Sequence, residues 1–306
     1  MDLRRCQLSA VIVAGLVGTA SQEVLLGQEI HVKVMSFNIR LSKGQDGSNH
    51  WGNRRDLVFD VIRQFDGDFL GVQEAWPDQV TDLCGALSNY QHLVRSRNAD
   101  ASDGEATPLY YRHDRWQLDK GQHGTFWLSD TPEVPGSKAW WTPVPRIVTW
   151  GRFLDRRTGQ GVYVFNTHFC HLSEWARRRS ADLLTRRILA RRHAEPVIVT
   201  GDFNAGESSY AVRQLKGELP HSTLQLIDTF RALQPDAEEV GTFNGFWLDR
   251  TRRKIDYVFA SPEVKVLDAR IVNDHRDGRQ ASDHYPVTAV LRFPALPSPR
   301  ADTPAP

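Results

Sequence analysis

Residues 197–204 read Val-Ile-Val-Thr-Gly-Asp-Phe-Asn. The β-branched run from Val197 to Thr200 is typical of a strand that is buried in a sheet. Asp202 and Asn204 follow at once, where the end of a strand can present polar side chains to a cleft. An Asp or Asn after a strand is commonly a turn or a helix cap, so this stretch indicates a functional site only if others resemble it.

The same arrangement, a polar side chain at the edge of an apolar run, recurs along the chain. Every member is a carboxylate, an amide or an imidazole, and a set of such uniform chemistry is hard to explain as a series of caps. We therefore expect the strands to bring these side chains to one cleft. Besides Asp202 and Asn204, the set contains Asn38, Glu74, His168, Asp256, Asp283 and His284.

The runs between these positions predict a strand-rich α/β (α+β) protein in which the strands are buried in packed sheets. The candidate strands are 32–39, 69–73, 109–112, 124–128, 147–154, 162–167, 197–200, 255–259, 264–272 and 287–293. The candidate helices are 54–65, 78–87, 173–192 and 209–215.

Composition bounds the class of protein. The chain has 306 residues, of which 40% are hydrophobic and 25% charged, and this excludes a disordered or fibrous protein. Without a Gly/Ser linker in the core, we predict one domain from about residue 30 to residue 294. The net charge of +1 excludes a strongly basic binder but not a local basic patch. The arginine-rich candidate helix 173–192 is either a polyanion-binding element or, as we prefer, a solvated outer face.

Both ends of the chain look like additions to that domain. Arg4 and Arg5 precede an apolar run that ends in small residues near Ala20. This pattern predicts a signal peptide over residues 1–20, and hence export to the periplasm or the medium. No apolar run reaches the roughly 20 residues that a membrane-spanning helix needs. The proline-rich residues 295–306 predict a disordered tail.

The residue types of the expected cleft point to metal-assisted hydrolysis. The carboxylates of Glu74 and Asp283 are hard oxygen ligands, which suit Mg²⁺ or Mn²⁺. Asp256 can orient His284 as a carboxylate–imidazole pair, and His168 can handle a second proton. A metal, imidazoles and a carboxylate that activates water are the equipment for hydrolysing a phosphoester.

Other chemistries lack their motifs. Three cysteines are too few for a disulfide scaffold or a structural zinc cluster, and no His-x-x-x-His spacing offers a zinc site. The sequence contains neither a Gly-x-Ser-x-Gly elbow nor a Gly-x-x-x-x-Gly-Lys-Ser/Thr loop, which excludes the common serine hydrolases and nucleoside triphosphatases. Cys84 and Cys170 would remain after export, and we expect two separate thiols.

Six short runs carry most of the polar set, and they follow one another in this order: Ser-Phe-Asn-Ile-Arg (36–40), Gly-Val-Gln-Glu (71–74), Asn-Thr-His (166–168), Gly-Asp-Phe-Asn (201–204), Ile-Asp-Tyr-Val-Phe (255–259) and Ser-Asp-His (282–284). In this order they resemble the exonuclease–endonuclease–phosphatase superfamily, which includes deoxyribonucleases, apurinic-site endonucleases, inositol-phosphate phosphatases and neutral sphingomyelinases. The resemblance implies a four-layer α/β/β/α sandwich of two packed mixed β-sheets.

The resemblance also implies a metal site. Glu74 is then the principal ligand of Mg²⁺ or Mn²⁺, and Asn38 lies beside it. Asp283 lies close to the metal or to His284. Apurinic endonucleases carry an Asp where this chain has Arg40, and this departure argues against base-excision repair.

For the reaction itself, the resemblance implies five catalytic residues. Asp202 orients or deprotonates the attacking water, and Asn204 holds the scissile phosphate. His284, oriented by Asp256, contacts the phosphate and the developing charge. His168 is a phosphate contact or a proton donor.

Further runs resemble a bacterial subgroup of the superfamily and supply candidate substrate-binding residues. Arg146 is either a phosphate clamp or part of a surface salt bridge. Tyr111 either hydrogen bonds a phosphate or packs in a strand. The subgroup commonly has Asp-His two places after the Thr-His, where this chain has Cys170-His171, and His171 is expected to line the cleft. Asn244 lies in the run 241–246.

One aromatic pair, Trp140-Trp141, stands in a proline-rich loop. It either stacks on a base or sugar, or touches lipid, or anchors its own loop, and we prefer the last of these.

Three functions follow, in order of preference. The first is an exported metal-dependent phosphoesterase acting on a small or lipid-linked phosphate mono- or diester, with peripheral membrane contact as an option and no protein partner predicted. The second is a secreted nuclease acting on DNA or RNA with the same chemistry. The third is a non-catalytic binding protein, which would be expected to have lost some of the set, and none is missing.

Overall fold

The computed structural model describes residues 29–138, 142–247, 253–273 and 275–295. In this part of the chain, twelve strands form two mixed sheets of six strands each. In spatial order the first sheet consists of β11 (Lys265–Ile271), β12 (Val287–Phe293), β1 (Ile30–Asn38), β2 (Phe69–Gln73), β4 (Leu109–Arg112) and β3 (Tyr90–Leu93). The second consists of β5 (Trp116–Trp127), β6 (Ile147–Asp155), β7 (Gly161–His168), β8 (Val197–Asp202), β10 (Asp256–Ala260) and β9 (Ile227–Asp228).

Most neighbouring strands are antiparallel, but each sheet has a parallel pair at its centre. In the first sheet β1 runs parallel to β2, and Asn38 lies beside Gln73. In the second sheet β7 runs parallel to β8, and His168 lies beside Asp202. The carboxyl ends of these four strands therefore carry the polar residues that the sequence places after them.

Helices cover the outer face of each sheet, so the layers run helix, sheet, sheet, helix. The helices α1 (Trp51–Phe65) and α2 (Pro77–Ala86) share one apolar cluster with the first sheet. The helices α3 (Glu174–Leu189) and α4 (Tyr210–Leu215) share another with the second sheet. A short α5 (Thr229–Leu233) follows β9. This confirms the predicted four-layer α/β/β/α sandwich.

The largest apolar cluster lies between the two sheets, and the alternation along β1 shows how one strand serves two layers. Val32 and Val34 face this inner cluster. Met35 and Phe37 instead belong to the cluster beneath α1 and α2. Because both faces of the strand are buried, its sequence is an almost continuous apolar run and not an alternating one.

The predicted elements are confirmed where they are buried and fall short at the sheet edges. Strands 69–73, 109–112 and 287–293 have the predicted bounds. The strand predicted over 124–128 was too short, and β3, β9 and α5 were missed. β3, β5 and β9 lie at sheet edges, where one or both faces of a strand are exposed to solvent. Their sequences therefore contain fewer of the apolar residues by which a strand is recognised.

Helix starts follow their capping residues. The Ser173 side chain accepts a hydrogen bond from the Ala176 backbone N–H at the start of α3. At α1, His50 accepts from the Gly52 N–H, so the helix begins three residues before the predicted residue 54. In each case the cap satisfies one of the N–H groups that a helix leaves unpaired at its first turn.

The arginine-rich helix α3 faces outward, as preferred. Leu183, Leu184 and Ile188 are buried against the second sheet. Trp175, in the first turn of α3, is 55% exposed. Arg187 forms an ion pair with Glu133.

Three further observations concern the termini and the cysteines. The predicted signal peptide, the tail beyond residue 295 and Trp140-Trp141 lie outside the described residues and stay predictions. Among the residues that are described, no helix combines the length and apolar character needed to cross a membrane. Cys84 is exposed and Cys170 buried, and both are free thiols, as expected.

Gly71 allows a close approach between the two sheets. Across from it, Asn166 Oδ1 accepts hydrogen bonds from Gln73 Nε2 (2.7 Å) and Thr200 Oγ1 (3.0 Å). A Cβ atom at position 71 would lie 2.1 Å from Thr200 Oγ1 and 2.6 Å from Asn166 Oδ1. The missing side chain therefore makes room for a buried polar network that joins the sheets.

We expect Gly71→Ala to destabilise the protein by about 1–3 kcal/mol, because the methyl group must push this network apart. Gly85→Ala is the matched control, since a Cβ atom there, on helix α2, meets nothing within 4 Å. Alanine at that helical position should stabilise by about 0.5–1 kcal/mol. Urea unfolding of both variants measures the difference, and equal midpoints would disprove the proposed close approach.

Candidate active site

The strand register assembles the centre of the site. Asp202, at the end of β8, lies beside His168 of the parallel β7 and opposite Asp256 of the antiparallel β10. Asn38 ends β1 in the facing sheet, and its side chain reaches across to Asp202. The carboxyl ends of strands from both sheets thus converge at one end of the sandwich.

A cavity of about 450 Å³ opens at this convergence. It has the size of a small-molecule site. Most of the predicted set lines it, and most of the other lining residues are ones that the sequence did not single out. The lining residues are Arg40, Leu41, Glu74, Arg97, Glu105, Val144, Arg146, His168, His171, Asp202, Asn204, Phe243, Ile255, Asp283 and His284.

Three lining residues have left-handed backbones although none is glycine. Arg40, Glu74 and Asn204 have φ values of 56°, 63° and 48°. Each follows a strand of the core closely. A left-handed conformation costs a residue with a Cβ atom about 1–2 kcal/mol, so the fold holds these side chains in place against a local preference.

Asn38 joins the carboxylates of the two sheets. Its Nδ2 donates to Glu74 Oε1 at 3.1 Å and to Asp202 Oδ2 at 3.0 Å. Its Oδ1 accepts from the Arg40 backbone N–H at 3.0 Å. In this arrangement the NH₂ group of Asn38 faces the two carboxylates and positions both of them. Coordination of a metal by Asn38 stays a prediction.

Glu74 is held as an ionised carboxylate. Its Oε2 accepts a hydrogen bond from the Leu41 backbone N–H at 3.0 Å. Burial alone would raise the pKa of Glu74, but the charge of His284 and the hydrogen bonds from Asn38 and Leu41 outweigh it and lower the pKa below its usual range.

His284 and Asp256 form the expected pair. The distance from His284 Nδ1 to Asp256 Oδ2 is 2.9 Å, and both side chains are buried. Burial alone would lower the pKa of His284, but the charges of Asp256 and Asp202 raise it well above the usual range of an imidazole. His284 is therefore an imidazolium at neutral pH. Its Nε2 lies 3.8 Å from Asp202 Oδ2.

The surroundings of Asp202 favour its neutral, protonated form. Burial and the nearby charge of Asp256 raise the pKa of Asp202 to about 7. Hydrogen bonds from Asn38 Nδ2 and from the Asn204 backbone N–H, 2.9 Å from Asp202 Oδ1, oppose this shift. A carboxylate with a pKa near neutrality is suited to accept a proton from water.

His168 is a neutral neighbour of Asp202. Its Nε2 lies 3.4 Å from Asp202 Oδ2. Burial, together with the positive charges of Arg146 and Arg97, lowers the pKa of His168 well below the usual range. His168 can thus donate a hydrogen bond but carries no charge of its own.

Asp283 and Arg40 form another edge of the cavity. Arg40 makes a bidentate contact to Asp46, with Nε–Oδ2 and Nη2–Oδ1 distances of 3.0 and 2.9 Å. Arg40 Nε lies 3.7 Å from Asp283 Oδ2. Burial raises the pKa of Asp283, against the opposing charge of His284.

Two groups of side chains bring possible ligand atoms for a divalent cation together. In the first, Asp202, Asp256 and His284, the ligand atoms lie within 4.8 Å of one another and all three residues are buried, but His284 could coordinate only as a neutral imidazole, after loss of its proton. Asp256 Oδ1 accepts no hydrogen bond from a described residue, which leaves an oxygen available as a ligand. The second group is Glu74 and Asp283, whose carboxylates line the cavity and supply the hard oxygens that Mg²⁺ and Mn²⁺ prefer.

Arg146 and His171 stand on the wall beside His168, as the sequence suggested. Arg146 Nη2 lies 3.0 Å from His171 Nδ1. Arg146 Nε and Nη1 are buried and find no acceptor among the described residues. Unpaired buried donors cost about 1–3 kcal/mol each, so this guanidinium is organised for an acceptor that a ligand would bring. This excludes the alternative of a surface salt bridge.

Two predicted substrate-binding residues lie elsewhere. Tyr111 is buried between the sheets against Phe153, and its hydroxyl donates to Gln91 Oε1 at 2.8 Å. The strand-packing alternative was therefore right for Tyr111. Asn244 is fully buried, and its Nδ2 and backbone N–H donate to the carbonyls of Ser282 and Asp283. Asn244 thus supports the segment that carries His284 and does not reach the cavity.

The structure adds residues that the sequence did not reveal. Arg54, 2% exposed, donates to the carbonyls of Ile39, Arg40 and Ala281, and so ties the end of β1 to the segment before Asp283. Arg97 and Glu105 line the cavity as an ion pair. Both lie in the segment between β3 and β4, and no apolar run or motif of the sequence marks them.

Comparisons with known proteins agree with this geometry. The chain is 28% identical over 244 residues to Uncharacterized protein L388 of Acanthamoeba polyphaga mimivirus, across 74% of this chain and 89% of that one. An endonuclease/exonuclease/phosphatase family protein of Bacteroides thetaiotaomicron superposes with a TM-score of 0.77 at 32% identity, across 87% of this chain and 96% of that one. A mannosyl-6-phosphatase of the same species, strain VPI-5482, superposes with a TM-score of 0.75 at 32% identity, across 86% of this chain and all of that one.

A family model covers most of the domain. The model described as the Endonuclease/Exonuclease/phosphatase family matches residues 35–284, which include every strand end that contributes to the cavity. Within this range the chain contains the paired carboxylates and the oriented imidazole of the cavity, together with most strands of its two mixed sheets. The chain therefore belongs to the endonuclease/exonuclease/phosphatase family, the hydrolases of phosphoester bonds.

Proposed function

We propose that this protein is an exported, divalent-metal-dependent phosphoesterase that hydrolyses a phosphate mono- or diester of a small or lipid-linked alcohol by in-line attack of water. One observation carries the proposal. A cationic imidazole, His284, and a carboxylate with a pKa of about 7, Asp202, face the same cavity with Nε2 and Oδ2 3.8 Å apart. An acid and a base with pKa values driven apart by their surroundings are what hydrolysis of a phosphoester requires.

Glu74 and Asp283 would hold Mg²⁺ or Mn²⁺, because their carboxylates are the hard ligands on the acidic side of the cavity. When bound, the cation supplies positive charge to the phosphate oxygens. Asn38 keeps Glu74 ionised and oriented toward that position.

The chain's own residues then divide the work. Asp202 accepts a proton from the attacking water, since its pKa of about 7 allows it to be ionised near neutral pH. His284 donates a charged hydrogen bond to a phosphate oxygen and is held in orientation by Asp256. Arg146 offers two unpaired donors to the remaining oxygens. His168, which is neutral, is placed to donate a hydrogen bond to the leaving oxygen. That oxygen takes up a proton from solvent as it departs, and Asp202 returns the proton of the attacking water to solvent.

Two considerations support a small ester and export. The cavity of about 450 Å³ suits a small molecule better than a duplex, and one similar protein is named a mannosyl-6-phosphatase. The proposal of export depends on the signal-peptide pattern in residues 1–20.

A substrate panel tests the proposal. The protein without residues 1–20 is assayed with Mg²⁺, with Mn²⁺ and with chelator on chromogenic phosphomono- and diesters, sphingomyelin, plasmid DNA and RNA. His284→Ala is the control. We expect metal-dependent turnover of a small ester that the control lacks. If the folded, metal-loaded protein cleaves nothing in the panel, the catalytic proposal is wrong and the binding-protein hypothesis replaces it.

A secreted nuclease is the second candidate, and one observation favours it. Trp175 and Trp247 are 55% and 70% exposed, and exposed aromatic rings can stack on unpaired bases. Cleavage of DNA or RNA that falls steeply with added salt would support this candidate. Activity confined to small esters would exclude it.

A further inference from the structure

An ion pair of Arg97 and Glu105 forms one wall of the catalytic cavity. Arg97 Nη1 lies 2.6 Å from Glu105 Oε2, and the side chains are only 14% and 12% exposed. The backbone holds the pair rigidly, because the Arg97 N–H donates to the Glu105 carbonyl at 2.8 Å. Trp127 Nε1 donates to the Arg97 carbonyl at 2.6 Å.

The loop that carries this pair is attached next to the proposed metal ligand. Ala106 bridges both Ser96 and Ala75, and Ala75 directly follows Glu74. Glu105 and Arg97 therefore stand at a fixed distance from the reaction centre. An ion pair that these backbone contacts hold in place is suited to contact the part of a substrate that lies next to the phosphate.

Each member of the pair retains hydrogen-bonding capacity. Within the described part of the chain, Glu105 Oε1 accepts no hydrogen bond, and the Arg97 guanidinium donates only to Glu105. The wall thus presents a charged acceptor and a charged donor side by side. Arg146, on the same wall, has its unpaired donors for the phosphate.

We propose that Arg97 and Glu105 determine specificity by binding hydroxyl groups of the substrate alcohol, so that the preferred substrate is a phosphate monoester of a sugar or another polyol. This inference rests on the proposed phosphoesterase function and goes beyond it by assigning the substrate class to two named residues.

The charges of the wall favour hydroxyl groups over other substituents. A hydroxyl group both donates and accepts, so neighbouring hydroxyls can satisfy Glu105 and Arg97 together. A hydrocarbon chain would exclude solvent and leave Glu105 Oε1 and the remaining N–H groups of Arg97 without a hydrogen-bond partner, which is unfavourable.

The test compares two esters in which a CH₂ group on a six-membered ring carries the phosphate. The substrates are glucose 6-phosphate or mannose 6-phosphate and cyclohexylmethyl phosphate, which has a six-membered ring but no hydroxyl groups. We expect the wild-type protein to favour the hexose phosphate in kcat/KM by at least about 100-fold. Glu105→Gln should lower kcat/KM for the hexose phosphate about 10- to 100-fold and change it less than about threefold for the other ester.

Two further variants keep the test decisive. Arg97→Gln/Glu105→Gln removes both charges together, and it replaces the single variant if an unpaired Arg97 impairs folding. Glu195→Gln breaks a comparable ion pair, that of Arg152 and Glu195, which does not line the cavity. It should leave kcat/KM unchanged for both substrates.

The outcomes separate this inference from the proposed function. Equal losses on both substrates, or a wild-type protein without preference for the hexose phosphate, would overturn the role of Arg97 and Glu105 and leave the phosphoesterase intact. A folded wild-type protein that hydrolyses no ester of the panel would instead overturn the proposed function itself.

Discussion

Asp202→Asn should abolish turnover and at the same time stabilise the metal-free protein at alkaline pH. The amide cannot accept the proton of the attacking water, so we expect kcat to fall at least about 10²–10⁴-fold. The stability gain follows from the pKa of about 7 that burial and Asp256 impose on Asp202. An ionised Asp202 is an unfavourable buried charge, and the amide removes it.

The sign of the pH dependence distinguishes this explanation from a generic effect. The folded pKa of Asp202, about 7, lies above the unfolded value of about 3.9. The folded state therefore holds this proton more tightly, and stability is lost as the pH rises through 7. Asp202→Asn should gain about 1–2 kcal/mol relative to wild type at pH 8 and much less at pH 5.

Thermal unfolding with chelator at both pH values measures this gain, at roughly 2–4 °C per kcal/mol for a chain of this size. Asp182→Asn is the matched control, because Asp182 lies on α3 and contacts Tyr210, outside the cavity. A gain for Asp202→Asn that is as large at pH 5 as at pH 8 would contradict a raised pKa.

Asp256→Asn is the second substitution with a large expected effect. Asp256 Oδ2 lies 2.9 Å from His284 Nδ1 and raises the pKa of His284. An amide keeps the shape but not the charge, and it can present its NH₂ group to the ring. His284 then loses its orientation and part of its positive charge, and we expect kcat to fall about 10²–10⁴-fold.

The pH profile gives the more specific readout. Without Asp256 the pKa of His284 falls, so the imidazolium loses its proton at a lower pH. The alkaline limb of kcat/KM should therefore move to lower pH in Asp256→Asn. An NMR titration of the His284 ring checks the same shift without turnover. An unchanged His284 titration would refute the pairing as the source of the charge.

A double variant completes this test. Asp256 also raises the pKa of Asp202, but its hydrogen-bonded partner is His284, so the loss in Asp256→Asn/His284→Ala should stay well below the product of the two single losses. Losses that multiply would mean that Asp256 has a separate role.

The accuracy with which the sequence predicted each strand depended on how deeply the strand is buried. The strands at the centres of the sheets, such as β2 and β12, were predicted to the residue because both faces are apolar. The edge strands β3 and β9 were missed, and β5 was predicted too short. Their solvent-facing residues carry little of the pattern by which strands are recognised.

For the site, the sequence by itself determined which side chains stand at strand ends. Each apolar run is followed closely by its polar residue, as at Asp202, Glu74 and His168. Order along the chain then sufficed for the family. The orientation of each side chain, in contrast, cannot be read from the sequence. Asn38 and Asn244 present their polar groups to carboxylates and to backbone carbonyls, and neither arrangement can be read from an asparagine after a run.

Only the tertiary structure decided what surrounds the reaction centre. Arg97 and Glu105 lie in the segment between β3 and β4, and Arg146 directly precedes β6. Arg54 lies on α1 and donates to the carbonyl of Ala281, 227 residues away in sequence. The pKa of Asp202 likewise arises from burial and from Asp256. Contacts between distant segments and the dielectric they create have no local sequence signature, because they exist only once the two sheets have packed.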